Sequence, residues 1–149
     1  MATKLEYVFT LRVGGTKETF CPMRSMKGDP TRFTISIHFG SVEGPDVKAE
    51  FIAGGNEWFE LGTAPSVGQQ SMRAMAKTAE GEFICMRITG IVKIDEQLQK
   101  SLEWAPDMKT THSEDHYWLT TPTFETDSGK LKWLEQYLFI AHGQVVVHD

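Results

Sequence analysis

The chain has 149 residues, of which 40% are hydrophobic and 23% charged, and its formal net charge at pH 7 is −5. A chain of this length buries enough apolar surface to fold as a single domain, here residues 1–149, without a metal or a disulfide. The negative charge and the scattered Lys and Arg argue against a nucleic-acid partner, because phosphate binding needs clustered cations. No stretch approaches the roughly 20 apolar residues of a membrane span, so no membrane partner is expected.

The N-terminus and the cysteines indicate where the protein works. The first 13 residues lack the apolar core and the small-residue cleavage site of a secretion signal. Cys21 and Cys85 are few and isolated, which is typical of a reducing compartment. We therefore expect a cytoplasmic protein with two free thiols.

The first half of the chain alternates between apolar and polar residues. This period of two predicts strands over 4–13, 32–40, 47–53 and 57–61, with Gly54-Gly55-Asn56 as a tight turn. Residues 16–31 have no sustained period and predict a loop, in which Met23 and Met26 either fill the core or cover an apolar ligand.

The second half continues with strands over 69–77 and 82–94, joined by a hairpin turn at 79–81, and Gly90 predicts a bend or a bulge. Asp95 is suited to cap a short helix that ends near Trp104. The remaining segments predict a strand over 117–125, a helical turn near 130–134, and strands over 135–142 and 144–148.

Many short strands, two helical pieces and no alternation of strand with helix indicate an all-β fold. We predict a closed antiparallel β-barrel of about eight strands with one or two short helices. A barrel of this size is either filled by side chains or holds one small ligand.

Three stretches together resemble the small β-barrel family known as domain of unknown function 3237. They are FGSVEGPDVKAEFIAGGNEW (39–58), KTAEGEFICMRITG (77–90) and YWLTTPTFETDSGKLKWLEQYLFIAHG (117–143). The resemblance implies a compact antiparallel barrel that associates with itself, here expected as a homodimer, without an obligatory metal or nucleotide. It implies no established activity.

The chain departs from the family pattern at three polar positions. Glu135 stands where the family usually has Asn, Leu119 where it has Arg, and Gln69 or Gln70 where an Asp is common. If those residues line the family's cavity, the cavity of this chain is more apolar and suits a bulky hydrophobic ligand.

The motifs that bind nucleotides, activate a nucleophilic serine or hold zinc are absent, so no cofactor is predicted. His112 and His116 lie four residues apart, a spacing that suits a metal only on a helix. Their segment reads as a loop entering a strand, so we expect a solvated surface and no metal site.

Polar residues within predicted strands are the candidates for chemistry. Arg73 and Arg87 lie on neighbouring strands of the predicted hairpin, and parity could set both on one face. If the lumen holds them together with His38 and Glu50, it contains two donors and a possible acid or base. The alternative arrangement leaves these residues in solvent and fills the interior with the apolar residues of the same strands, namely Phe33, Ile35, Ile37, Met72, Ala74, Ile84, Met86 and Ile88.

Aromatic residues could stack on a flat ligand or could pack the core. Glu125 is either a rim residue or a general base, and Cys85 reads as a small core residue rather than a nucleophile. The expected substrate contacts are Trp58, Met75, Tyr117, Trp118, Phe124 and Glu125.

These features predict an isomerase or cyclase that binds a hydrophobic or aromatic metabolite and rearranges it without a cofactor. Arg73 and Arg87 would polarise the substrate, and His38 or Glu50 would carry the proton. Two alternatives remain open: a non-catalytic carrier that uses the same cavity, and a filled barrel that serves assembly.

Overall fold

The computed structural model describes residues 3–24, 31–62 and 66–148. In these ranges one antiparallel sheet of nine strands runs through the molecule. The strands are β1 (Thr10–Gly14), β2 (Phe20–Arg24), β3 (Thr31–Ile37), β4 (Phe39–Gly44), β5 (Val47–Leu61), β6 (Val67–Lys77), β7 (Phe83–Lys93), β8 (Trp118–Thr126) and β9 (Ala141–His142). One α-helix, α1 (Glu96–Leu102), and 3₁₀ turns at Lys17–Thr19, Ser113–Asp115 and Gly129–Glu135 complete the described elements.

The first strand is shorter than predicted. It begins at Thr10 because its partner β4 ends at Gly44, and Pro45 and Asp46 then turn the chain away. The predicted loop over 16–31 is also wrong in part, since it contains a 3₁₀ turn and β2, which pairs with β3. Met23 lies on β2 and is 55% exposed, and Met26 falls outside the described residues.

The sequence also divides β5 wrongly. Gly54-Gly55-Asn56 is not a hairpin turn but an irregularity within one long strand, which pairs with β6 on both sides of it. Gly54 adopts φ +117° there, a conformation that glycine reaches without strain. The bulge lets β5 pair with β4 before it and with β3 after it.

The second half follows the prediction more closely, with three differences. Pairing continues without a shift through Gly90 in both ladders, so this glycine marks no bulge. It instead permits close approach, because a Cβ there would lie 2.4 Å from the Leu119 carbonyl oxygen. The predicted strand over 135–142 shrinks to β9, and 144–148 forms no strand.

The sheet curls into a half-barrel whose edges stay 8 Å apart. The prediction of an antiparallel all-β fold is confirmed, and the prediction of closure is wrong. The two-residue β9 pairs only with Leu119 and Thr120, so it offers too short an edge to complete the ring. Aromatic contacts bridge the edges instead, with the Phe9 ring 5.5 Å from Phe124 and 5.6 Å from Phe139.

Two apolar clusters fill the concave side of the sheet. The larger one surrounds Met72, Ile84 and Met86, and Leu131 and Leu134 of the last 3₁₀ turn close its end. The smaller one contains Phe33, Phe59 and Val92, and Leu98 of α1 covers it. Asp95 caps α1 as predicted, since its Oδ1 accepts a hydrogen bond from the Leu98 N–H. No helix within the described ranges has the length and hydropathy that crossing a bilayer requires.

Candidate functional site

A polar layer lies on the inner face of the sheet, where the two apolar clusters meet. Glu57 has the same inward parity on β5 as Phe59, and Gln70 is the residue opposite Phe59 on β6. Across β7, Gly90 faces Gln70 on one side and Thr120 of β8 on the other. The sheet therefore brings a carboxyl, an amide and a hydroxyl to one side.

A chain of hydrogen bonds orients this layer. The Trp118 indole Nε1–H donates to the Gln70 Oε1 over 2.7 Å. The Gln70 side chain also hydrogen-bonds to the Glu57 carboxyl. Since the Gln70 oxygen already accepts from Trp118, its amide N–H donates to Glu57. The hydrogen bond from Trp118 thus orients the Gln70 side chain so that its amide nitrogen faces the Glu57 carboxyl.

Burial raises the pKa of Glu57 to about 7, and the hydrogen bond from Gln70 opposes that rise. None of the ion pairs found in the described ranges involves Glu57. The side chain is half-buried and keeps some contact with solvent. A carboxyl that holds and releases a proton near neutral pH in apolar surroundings can act as a general acid or base.

The predicted catalytic residues lie elsewhere. Arg73 and Arg87 face each other across β6 and β7, which confirms that they share neighbouring strands and one face. That face is the outer one, and both side chains are exposed. Glu50 is also exposed, opposite Lys77, and His38 is exposed where β3 gives way to β4. The predicted interior placement of these four residues is wrong, because the apolar residues that alternate with them along the strands face inward.

The alternative arrangement of the sequence analysis is confirmed. Of its proposed interior residues, Ile35 is half-buried and the rest are buried: Phe33, Ile37, Met72, Ala74, Ile84, Met86 and Ile88. Cys85, predicted to be a small core residue, is an exposed free thiol on the outer face, as is Cys21 on β2.

The predicted substrate contacts divide between the two faces. Phe124 is buried in the aromatic cluster with Phe9, and Trp118 is half-buried in the polar layer. Met75 and Glu125 line a shallow depression on the outer face. Trp58 and Tyr117 belong to a second, larger groove on the same face.

This outer groove has a volume of about 830 Å³. Ser71, Thr89 and Thr121 occupy one row of facing positions on β6, β7 and β8 and give it a hydroxyl-rich floor. Its apolar walls are 47–59% exposed and consist of Trp58, Ile91, Tyr117 and Ile140. An ion pair between Arg32 Nε and Glu60 Oε1, at 2.7 Å, lies at its border.

The two histidines that lie four residues apart have different surroundings, so the expectation of a solvated surface is correct for His112 and wrong for His116. His112 is exposed, whereas His116 is buried and its Nδ1 contacts the carboxylate of Asp95. Burial raises the pKa of Asp95, but hydrogen bonds from the Leu98 N–H and from His116 outweigh it and leave that pKa below its ordinary value. Within the described ranges, no three His, Cys, Asp or Glu side chains converge as a metal site would require.

Sequence reasoning missed Glu57, although a usable signal existed. Residues 57–61 alternate, and Glu57 shares its parity with Phe59 and Leu61, so it is an acid on an apolar strand face. Reading 54–56 as a turn placed Glu57 at the start of a strand, where a charge is unremarkable. Once β5 is continuous, the charge stands in the middle of the strand and demands an explanation.

Comparison with known proteins agrees with this architecture. The family described as "Protein of unknown function (DUF3237)" matches residues 3–149. No curated protein matches the sequence.

Solved structures resemble most of the chain. A conserved protein of unknown function from Rhodopseudomonas palustris has a TM-score of 0.77 at 24% identity, covering 95% of this chain and 90% of its own. A protein of unknown function from Clostridium acetobutylicum has a TM-score of 0.75 at 22% identity, with the same coverage. A β-barrel-like protein from Acinetobacter baumannii reaches 0.65 at 19% identity, covering 90% and 81%. At these identities the likeness concerns the fold.

Proposed function

The chain belongs to the DUF3237 family of proteins of unknown function, and we propose that it is a cofactor-independent isomerase or cyclase for a hydrophobic or aromatic small metabolite. The single observation that carries this proposal is Glu57. It is a carboxyl without a cationic partner in the described ranges, set among apolar residues, with a pKa raised to about 7. Such a group is available as a base and as an acid at neutral pH.

Proton transfer at Glu57 needs no other reactant. The carboxylate takes a proton from one carbon of the substrate, and the resulting carboxylic acid returns it to another atom, so that the substrate is rearranged without loss or gain of atoms. Gln70 holds the carboxyl in place during both steps, and Trp118 holds Gln70. A positioned acid or base of this kind accelerates proton transfer by about 10²–10⁴-fold.

Glu57 is only half-buried as a residue, and we take this partial exposure as the route by which a substrate reaches its carboxyl. The surrounding Phe59, Met72 and Ile88 side chains favour an apolar substrate, in keeping with the expected hydrophobic metabolite.

A nitrobenzisoxazole tests the proposal. This flat, neutral aromatic loses one ring proton to a base and opens by N–O cleavage to a coloured cyanophenolate, so the reaction reports a base in an apolar site. We expect catalysis by the wild-type protein to rise with pH around a midpoint near 7. Glu57→Gln, which keeps the shape and removes the base, should lower the rate by about 10²-fold or more.

Glu50→Gln is the matched control, since Glu50 lies on the same strand but faces solvent. It should leave the rate unchanged. Equal rates for wild type and Glu57→Gln would overturn the proposal. If the probe quenches tryptophan fluorescence and binds both proteins without turnover, the carrier alternative is favoured.

A further inference from the structure

We propose that the outer face of the sheet binds an organic anion. Its apolar or aromatic body would lie in the outer groove, and its carboxylate or sulfonate would meet Arg73 and Arg87, here called the arginine pair. This site is on the opposite face of the sheet from Glu57 and does not depend on the function proposed above.

The arginine pair is an uncompensated charge. Arg73 and Arg87 occupy directly facing positions on β6 and β7, where like charges repel. Neither guanidinium belongs to an ion pair found in the described ranges. Glu125, the nearest acid on that face of β8, lies diagonally from Arg87 and forms no such pair either. Two guanidinium groups held side by side are suited to one carboxylate or sulfonate.

Neutral polar residues flank the arginine pair on both sides. Asn56 is opposite Arg73 on β5, and Thr123 is opposite Arg87 on β8. All four residues therefore lie in one row across the outer face. The Thr123 hydroxyl donates to the Arg87 carbonyl oxygen over 3.2 Å, so the Asn56 amide and the two guanidinium groups supply the hydrogen-bond donors of this row.

The outer groove begins one row away. Each residue of the next row lies two positions along its strand from the arginine row, a separation of roughly 7 Å; this row consists of Trp58, Ser71, Thr89 and Thr121. Trp58 and Tyr117 are 54% and 47% exposed although both are large aromatic residues. The groove volume of about 830 Å³ falls within the range of about 300–1,000 Å³ that holds small ligands.

Charge and shape together select the class of ligand. The net charge of −5 repels long polyanions, and a single pair of arginines matches one acidic group. A second copy of this chain related by a two-fold axis would have to desolvate both arginines in the interface, which is costly without acidic partners. A small aromatic or aliphatic anion satisfies the arginine pair and covers the exposed rings.

Anilinonaphthalene sulfonate and its uncharged analogue N-phenylnaphthylamine separate these contributions. Both probes fluoresce in apolar sites, and only the first carries an anionic group. We expect Arg73→Gln and Arg87→Gln each to weaken the sulfonate about tenfold and to leave the amine unchanged. Trp58→Ala should weaken both probes. Arg12→Gln is the control, because Arg12 is an exposed arginine on β1 that already pairs with Glu43.

Equal loss of sulfonate binding in Arg12→Gln and Arg73→Gln would overturn the proposal, since any cation would then serve. It would also be overturned if the wild type were a dimer by light scattering and Trp58→Ala a monomer, because a second copy would then occupy the face. Circular dichroism of each variant confirms that the exposed substitutions leave the fold intact.

Discussion

The two faces of the same strands hold charge in opposite ways. On the inner face, Glu57 is a single carboxyl between two apolar clusters, and burial moves its pKa to about 7. On the outer face, Arg73 and Arg87 stand directly opposite each other in solvent. On the outer face, water screens the repulsion between the two arginines. On the inner face, the exclusion of water raises the pKa of the Glu57 carboxyl.

The difference explains why the most visible charges are poor guides to chemistry here. An exposed arginine contributes mainly to recognition. The carboxyl inside has only Gln70 to stabilise its ionised form, so its proton affinity is set by its surroundings. We therefore propose proton transfer for the inner face and anion recognition for the outer face.

The largest expected difference in stability between the two faces is between two methionines of β6. Met72 is 1% exposed and Met75 is 43% exposed. Met72→Ala should lower the free energy of unfolding by about 2–5 kcal/mol, because it removes buried contacts and leaves a cavity. Met75→Ala should change it by no more than about 0.5 kcal/mol. Equilibrium denaturation in urea measures both, and equal losses would contradict the assignment of the faces.

The next effect concerns Glu57 and pH. The pKa of its carboxyl is about 7 in the folded protein against an ordinary value of 4.5, so the folded state binds more protons between these values. The protonated Glu57 therefore contributes to the free energy of unfolding, compared with Glu57→Gln, and this contribution is fully present below pH 4.5. It is lost as the pH rises through about 7, by up to about 3 kcal/mol.

Urea unfolding of both proteins from pH 5 to pH 8 measures this difference. We expect the glutamine variant to become the more stable of the two at the alkaline end. A difference that stays flat over this interval would show that Glu57 titrates like an exposed carboxyl.

Local patterning in the sequence predicts much of this fold. The alternation of residues 69–77 and 82–94 predicts the β6–β7 hairpin, and Asp95 is recognised as a helix cap, because both depend on near neighbours in the chain. The pairing of Arg73 with Arg87 follows from the same hairpin. Which face they occupy is also encoded, since Met72, Ala74, Ile84 and Met86 are the apolar alternates.

Features that depend on pairing between residues far apart in the sequence are harder to predict. The length of β1 is set by β4, and the continuity of β5 through Gly54 is set by its pairing with β6. Closure of the barrel depends on β9, and the apolar run of residues 137–141 makes the sequence predict a longer strand there. The incorrectly predicted turn over 54–56 placed Glu57 at the start of a strand, where an acid is not unusual. Its hydrogen bond to Gln70 joins residues on different strands.

A third test addresses the polar layer itself. Gln70→Leu removes the donor to Glu57 and leaves the indole N–H of the half-buried Trp118 without its acceptor, which should cost about 1–3 kcal/mol of unfolding free energy. It should also raise the pKa of Glu57 further, which carbon-detected NMR of the carboxyl measures. Gln69→Leu is the control, because Gln69 is exposed on the other face. An unchanged Glu57 pKa in Gln70→Leu would contradict the proposed chain of hydrogen bonds.

The smallest effect should come from the arginine pair, and its sign is unusual for a substitution. Arg73→Gln removes one of two facing like charges and should raise the free energy of unfolding by about 0.2–1 kcal/mol. Because the repulsion is between exposed groups, added salt should diminish this gain. Arg12→Gln should show no such gain, since Arg12 Nη1 forms an ion pair with Glu43 Oε2 at 3.3 Å. A loss of stability in Arg73→Gln at low salt would mean that the guanidinium groups already have an anionic partner, and the outer face would then not be free to bind one.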